Sequence, residues 1–222
     1  MKFPNAARGF NKIFIAEILS LISVVAMIVG GGIFVGGLAL GNVVQNADGW
    51  FLSGSIGAII CGVVAVVLAV ISFFMTIVGY INASHDDVNF KTALIFLLIS
   101  IVLSIVSVAF STKSFSSFIY SLSTLCTTIA TIFVIAGGVK FADQLNRGEV
   151  SRTGSTVLKL IIVIEIATFV IGVVSTFLRN NVVLTVSAIL FIAIQVLNLI
   201  KYITYLVFLN KAKKMFAKAK KF

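Results

Sequence analysis

Charge and reactive side chains are what this sequence has least of. Only 11% of its 222 residues are Asp, Glu, Lys or Arg, where a soluble domain carries about a quarter. With one proline and one histidine besides, the chain cannot cover itself with polar surface in water, and lipid is its expected solvent. The two cysteines, Cys61 and Cys126, make no CxxC pair and each lies inside an apolar run, so they read as small buried hydrophobes. No GxSxG, HExxH or Walker sequence occurs, and no apolar run contains a histidine. That leaves intramembrane metalloprotease and proton-relay chemistry without side chains to perform it. No catalytic residue, metal-ligand set or cofactor is expected, and the chain reads as a non-enzyme. The lone His85 sits beside Asp86 and Asp87. Adjacent residues on one short loop rarely converge on a single ion, so the three read as a solvated loop flanking a helix.

What the chain does have is hydrophobic length. Of its residues 60% are hydrophobic, and the mean hydropathy is +1.18. Six apolar runs, about 13–41, 54–82, 92–112, 117–140, 156–178 and 183–209, reach or approach the ~20 residues that a bilayer core of about 30 Å requires. Such long, unalternating runs exclude barrel strands. The first run follows Lys2, Arg8 and Lys12 and outlasts the ~7–15 apolar residues of a secretory signal, so a retained first helix is expected. The fold class is all-α integral membrane, a six-helix transmembrane bundle over residues 1–209 with a basic cytoplasmic tail at 210–222.

The net charge of +10 would suggest nucleic acid in a soluble protein, but here the cations sit between and beyond the apolar runs, and no nucleic acid partner is expected. If the N-terminus is cytoplasmic, all but two of the 17 Lys and Arg residues fall on the cytoplasmic side, the exceptions being Lys113 and Arg179. Short loops follow the positive-inside rule, so an N-in/C-in topology is expected. The expected location is a cell membrane crossed several times, and a bacterial cytoplasmic membrane in particular.

The runs also read as three repeated helical hairpins, each opening on a Lys: Lys12, Lys91 and Lys159. Along five of the six, small residues recur at alternating spacings of four and three. The first run gives Ala16, Ser20, Ser23, Gly30, Gly37 and Gly41, with Met27 and Phe34 between. The second gives Ala58, Gly62, Ala65, Ala69, Ser72, Thr76, Gly79 and Ala83. The third gives Ser100, Ser104, Ser107 and Ser111, the fourth Ser117, Ser121, Thr124, Thr128, Thr131 and Gly138, and the fifth Thr168, Gly172 and Ser175. Small residues let helix backbones approach where lipid removes the hydrophobic drive, so these stripes are expected at helix–helix seams.

The sixth run departs from this pattern. Gln195, Asn198, Tyr202 and Tyr205 share one of its faces and are the candidate lining of a polar cavity. Glu165 and Lys201 are candidates for a buried ion pair, with Glu17 a third ionisable group nearer the interface. The tail alternates Lys with Ala212, Met215, Phe216, Ala219 and Phe222, an amphipathic pattern suited to anionic lipid head groups. Size, six spans and cytoplasmic ends are similar to the substrate-binding components of energy-coupling-factor vitamin transporters. Where those present an Ala-x3-Ala-type docking face on the first helix, this chain has Ala16-x3-Ser20, and no vitamin-site motif is present. Two functions are therefore carried forward. One is a non-catalytic membrane subunit or scaffold, with a membrane-protein partner or a second copy. The other is a small-solute transporter, or its binding component, using the polar face of the sixth helix.

Overall fold

The computed structural model describes residues 3–43, 47–110, 113–177 and 181–219, with side chains outside 37–54, 113–114, 117, 169, 172–189 and 191. The described chain is entirely helical: α1 (Pro4–Val43), α2 (Ala47–Ser84), α3 (Val88–Ala109), α4 (Lys113–Gln144), α5 (Gly148–Phe177) and α6 (Asn181–Ala219). Five of them, all but α5, contain described stretches long and apolar enough to cross a membrane. Ile28, Ile59, Ile105 and Val108 are among the many large apolar side chains turned outward, a surface suited to lipid and not to water.

The helices outrun the apolar segments because nothing ends a helix at the edge of the hydrocarbon. Pro4 opens α1, where its missing N–H costs no hydrogen bond. Helix α3 starts at Val88 because Asp87 caps it, accepting from the Asn89 N–H at 2.8 Å. Its other end comes earlier than the hydropathy implies, at Ala109, where Phe110 is extended. Helix α4 ends in a Schellman motif: Arg147 N–H donates to Ala142 O and Asn146 N–H to Asp143 O, with Asn146 at φ 51°. Asparagine tolerates that left-handed position better than most residues.

The chain divides into two compact units, Asn11–Gly79 and the remainder, Met1–Phe10 with Tyr80–Phe222. In the first, α1 and α2 pair antiparallel at heptad intervals. Ser72 Oγ donates to Ala16 O and Ser23 Oγ to Ala65 O, both at 2.8 Å. A Cβ on Gly30 would stand 2.8 Å from Cys61 Cβ and 3.5 Å from Ala58 O. Each advance of seven residues along α1 thus meets a retreat of seven along α2, the periodicity of a left-handed helix seam. Gly31 and Gly32 meet nothing, so only one glycine of that run makes the close approach.

In the second unit α3 and α4 repeat the arrangement with serines. Ser116 Oγ donates to Ser107 O at 2.7 Å, and Ser123 Oγ to Ser100 O at 2.8 Å. Since the Ser123 proton points at Ser100, the 2.7 Å contact between Ser104 and Ser123 has Ser104 as donor. Nearer the end where α1 begins and α6 finishes, the core is aromatic. Phe10 meets Phe90, Phe208 and Phe216 with ring centroids 5.5, 6.4 and 5.4 Å apart, and Phe141 stacks on Phe90 at 5.8 Å.

Three expectations need correction. Ala69 is exposed, although its neighbours in the stripe, Ala65 and Ser72, are buried; the seam on α2 is the heptad set, and Ala69 falls beside it. On α4 the buried line is Ser123, Cys126, Ala130 and Val134, while Ser121 and Thr124 are exposed. The hydroxyls of Thr124 and Thr131 bond their own helix, to Tyr120 O and Thr127 O, and so face outward without an unmet hydrogen bond. The tail is not a separate amphipathic segment. It continues α6 to Ala219, and its apolar face is consumed inside the protein, with Ala212, Met215 and Phe216 all buried. Ser111 and the outward cation Arg179 lie outside the described residues, and the stripe positions Gly37, Gly41, Ser117, Gly172 and Ser175 lie in described helices but outside the residues whose surroundings are described.

Candidate functional site

Polar side chains in the apolar helices fall into two groups. At the seams, buried Ser23, Ser72 and Ser123 donate to the facing helix, buried Ser100 and Ser107 donate to carbonyls of their own helix, and no buried side-chain nitrogen or oxygen among the described residues lacks a partner. The larger groups singled out from sequence are not gathered into one lining. Along α6 burial rises toward the basic end: Gln195 is exposed, Asn198 and Tyr202 half-buried, Tyr205 buried. Gln195 therefore points outward among exposed Ile192, Val196 and Leu199. Glu17 is half-buried on α1.

Glu165 and Lys201 are not brought together. Glu165 is exposed and Lys201 half-buried, and among the described residues Glu165 has neither ion pair nor hydrogen bond. Register explains the separation. A Cβ on Gly154 would touch the Phe208 ring at 2.8 Å, which sets these two residues opposite each other. Going up α5 from Gly154 to Glu165 corresponds to going back along α6 from Phe208 to Leu197. Lys201 lies four residues nearer the basic end, about 6 Å along the axis. Glu165 also turns outward with Ile162, Val163 and Ile166, whereas Ile161 and Ile164 face the core.

The acidic groups at the basic end hold elements together. Asp86 accepts from Asn5 Nδ2 at 3.0 Å and from the Ala6 N–H at 2.7 Å, so a carboxylate occupies the positive end of α1. Asp87, whose side chain is only 5% exposed, caps α3 and pairs with Lys140 of α4. Both carboxylates beside His85 are thus committed to helix ends, while His85 itself is exposed.

The same end carries a groove of about 510 Å³, lined by Asn146, Arg147, Gly148, Glu149 and Val150 from the α4–α5 turn and by Lys211, Lys214, Met215 and Lys218 from α6. Lys211, Lys214 and Lys218 share one helix face by spacing. Lys211 pairs with Glu149 at 2.6 Å and reaches Thr153 Oγ1 at 3.3 Å. The hydrogen bond and charge of Lys211 hold the Glu149 carboxyl below its ordinary range, with the Lys218 charge adding to the effect. The side chains of Arg147, Lys214 and Lys218 have no hydrogen-bond or ion-pair partner among the described residues. The sequence carries two signals of this groove, the helix-stop string Asn146-Arg147-Gly148 and the lysine spacing on α6. Reading the tail as a lipid-borne segment obscured how they converge. No protein-family model, curated protein or solved structure matches the chain.

Proposed function

We propose that this chain is a non-catalytic subunit of a membrane assembly, crossing the bilayer six times as three helical hairpins with both ends in the cytoplasm of a bacterial cell. The five qualifying helices, α1–α4 and α6, supply most of this reading, and α5, at 30 residues or about 45 Å, is long enough to supply the sixth span. The 17 basic residues, nearly all assigned to one side by that threading, support the orientation.

The observation that carries the subunit reading is the outward Glu165. It stands on a face with Ile162, Val163, Ile166 and Val170, all about half exposed or more. An ionisable group facing hydrocarbon is costly, and such groups almost always face a protein interior. A helix of another chain, carrying a cation or a hydrogen-bond donor at that depth, would cover the carboxyl and the apolar side chains around it. Gln195, similarly outward on α6, suits the same role. The buried serine hydroxyls are already bonded to a facing helix or to their own, which leaves few groups for handling a solute.

Native mass spectrometry of gently extracted protein tests this reading. The expected result is an assembly, with a second copy or another polypeptide, that retains no small solute. A monomer holding a stoichiometric solute would favour the transport reading instead.

A further inference from the structure

We infer that the groove between the α4–α5 turn and the end of α6 binds a phosphate group borne on a carbon body. This goes beyond the subunit reading, and only its lipid form rests on the proposed membrane placement. Arg147, Lys211, Lys214 and Lys218 face a single lining carboxylate, Glu149, so the groove keeps a surplus of positive charge. Like charges on Lys214, Lys218 and Arg147 repel one another when nothing lies between them; none of the three has an ion-pair partner among the described residues, and Glu149, whose charge Lys218 also feels, is already bonded to Lys211. An anion with more than one charge is the group that relieves this.

The chemistry favours phosphate. Guanidinium presents paired donors to phosphate oxygens, while ammonium groups act as point charges from several directions. The first turn of α5, starting at Gly148, adds the positive end of a helix. The groove is not uniformly polar, since Met215 and Val150 are buried at 4% and 6% exposure and give it apolar walls. About 510 Å³ exceeds what inorganic phosphate fills and falls within the range of small-molecule sites. The Schellman turn fixes the backbone from which the Arg147 side chain departs, its N–H bonded to Ala142 O at 2.8 Å. Residues 146–150 and 211–218 lie just past the apolar runs, which the proposed membrane placement sets at the depth of lipid phosphates. The phosphate therefore comes either from a lipid head group or from a soluble phosphate ester.

Titration calorimetry on the full chain in a neutral maltoside detergent tests the inference and separates the sources. Dioctanoyl phosphatidic acid, dioctanoyl phosphatidylcholine and glycerol 3-phosphate are the probes. Saturable binding of phosphatidic acid at one site per chain, with none of phosphatidylcholine, is the expected result. Saturable binding of glycerol 3-phosphate with equal affinity would assign a soluble ester to the same groove. The double variant Arg147→Gln/Lys214→Gln should weaken binding about tenfold or more, the scale of losing charge-assisted hydrogen bonds. Glu149→Gln should tighten it several-fold, because it frees Lys211 and removes the opposing charge, a gain that a misfolded variant would not show. The inference is overturned if no phosphate probe binds, if the groove variants bind as the unaltered chain does, or if Lys91→Gln/Lys159→Gln, which removes equal charge elsewhere, weakens binding as much. None of these outcomes bears on assembly through Glu165.

Discussion

Adding a single methyl group at Gly138 should destabilise the aromatic core. A Cβ there would lie 2.6 Å from Phe208 Cζ and 2.9 Å from Phe10 Cζ, against an ordinary carbon–carbon separation of about 3.5–4.0 Å. Phe10 has little room to retreat, since its other neighbours are Phe90 and Phe216 with centroids 5.5 and 5.4 Å away. Overpacking of this kind costs about 1–3 kcal/mol, while alanine gains about 1 kcal/mol over glycine in helix propensity. The same gain applies to Gly31→Ala, where the new Cβ would meet nothing within 4 Å. Subtracting the two variants cancels propensity and leaves the packing cost, about 1–3 kcal/mol. Denaturant unfolding in mixed micelles measures the difference. The cost of Gly138→Ala should also shrink when Phe208→Ala removes the nearer ring. Equal stability of Gly138→Ala and Gly31→Ala, within about 0.5 kcal/mol, would refute the close approach of rings and backbone.

Other consequences concern hydrogen bonds, charge and topology. Ser123→Ala removes the bond to Ser100 O and the acceptor of Ser104, and should cost about 0.6 and at most ~1.7 kcal/mol; Thr124→Ala, whose hydroxyl serves only its own helix, should be near neutral in the same unfolding assay. The Glu149 carboxyl is held low by Lys211, so its contribution is present above the ordinary carboxylate pKa and disappears as pH falls through the depressed value. The stability difference between the unaltered chain and Glu149→Gln, followed from neutral to acid pH, should therefore close on acidification, and the gain should be small because Glu149 is 80% exposed. Single cysteines introduced within 42–53 should label from outside intact cells, and one near Arg147 should not; the reverse labelling would overturn the N-in/C-in assignment.

Hydropathy located every helix, because six long apolar runs allow no other secondary structure in lipid. Boundaries were less legible. The extension of α6 to Ala219 depends on Phe216 meeting Phe10 and Phe141, partners more than 70 positions away in sequence. Small-residue stripes marked the seam of α1 and α2 well where the spacing was seven: Ala16, Ser23 and Gly30 against Ala65 and Ser72. They misled on α4, since threonine can satisfy itself on its own helix and look like a seam residue while facing outward. The Glu165–Lys201 pairing assumed that depth alone decides contact. The register fixed by Gly154 and Phe208, and the face on which Glu165 lies, are invisible to a count of residues from the membrane edge. The two aspartates beside His85 were legible as polar, but their hold on α1 and α4 needed the fold.

The central claim is that the Glu165 face of α5 is covered by another chain. Disulfide cross-linking in native membranes tests it most directly, using single cysteines in a background where Cys61 and Cys126 are replaced by alanine. Ile162→Cys and Ile166→Cys, outward beside Glu165 at 52% and 59% exposure, should link rapidly to a second polypeptide, either another copy or a distinct subunit. Ile164→Cys, 2% exposed, should not link, and neither should Ile105→Cys, outward at 66% on α3. Cross-linking at Ile162 and Ile166 that is absent, or no faster than at Ile105, would contradict the account and leave Glu165 facing lipid.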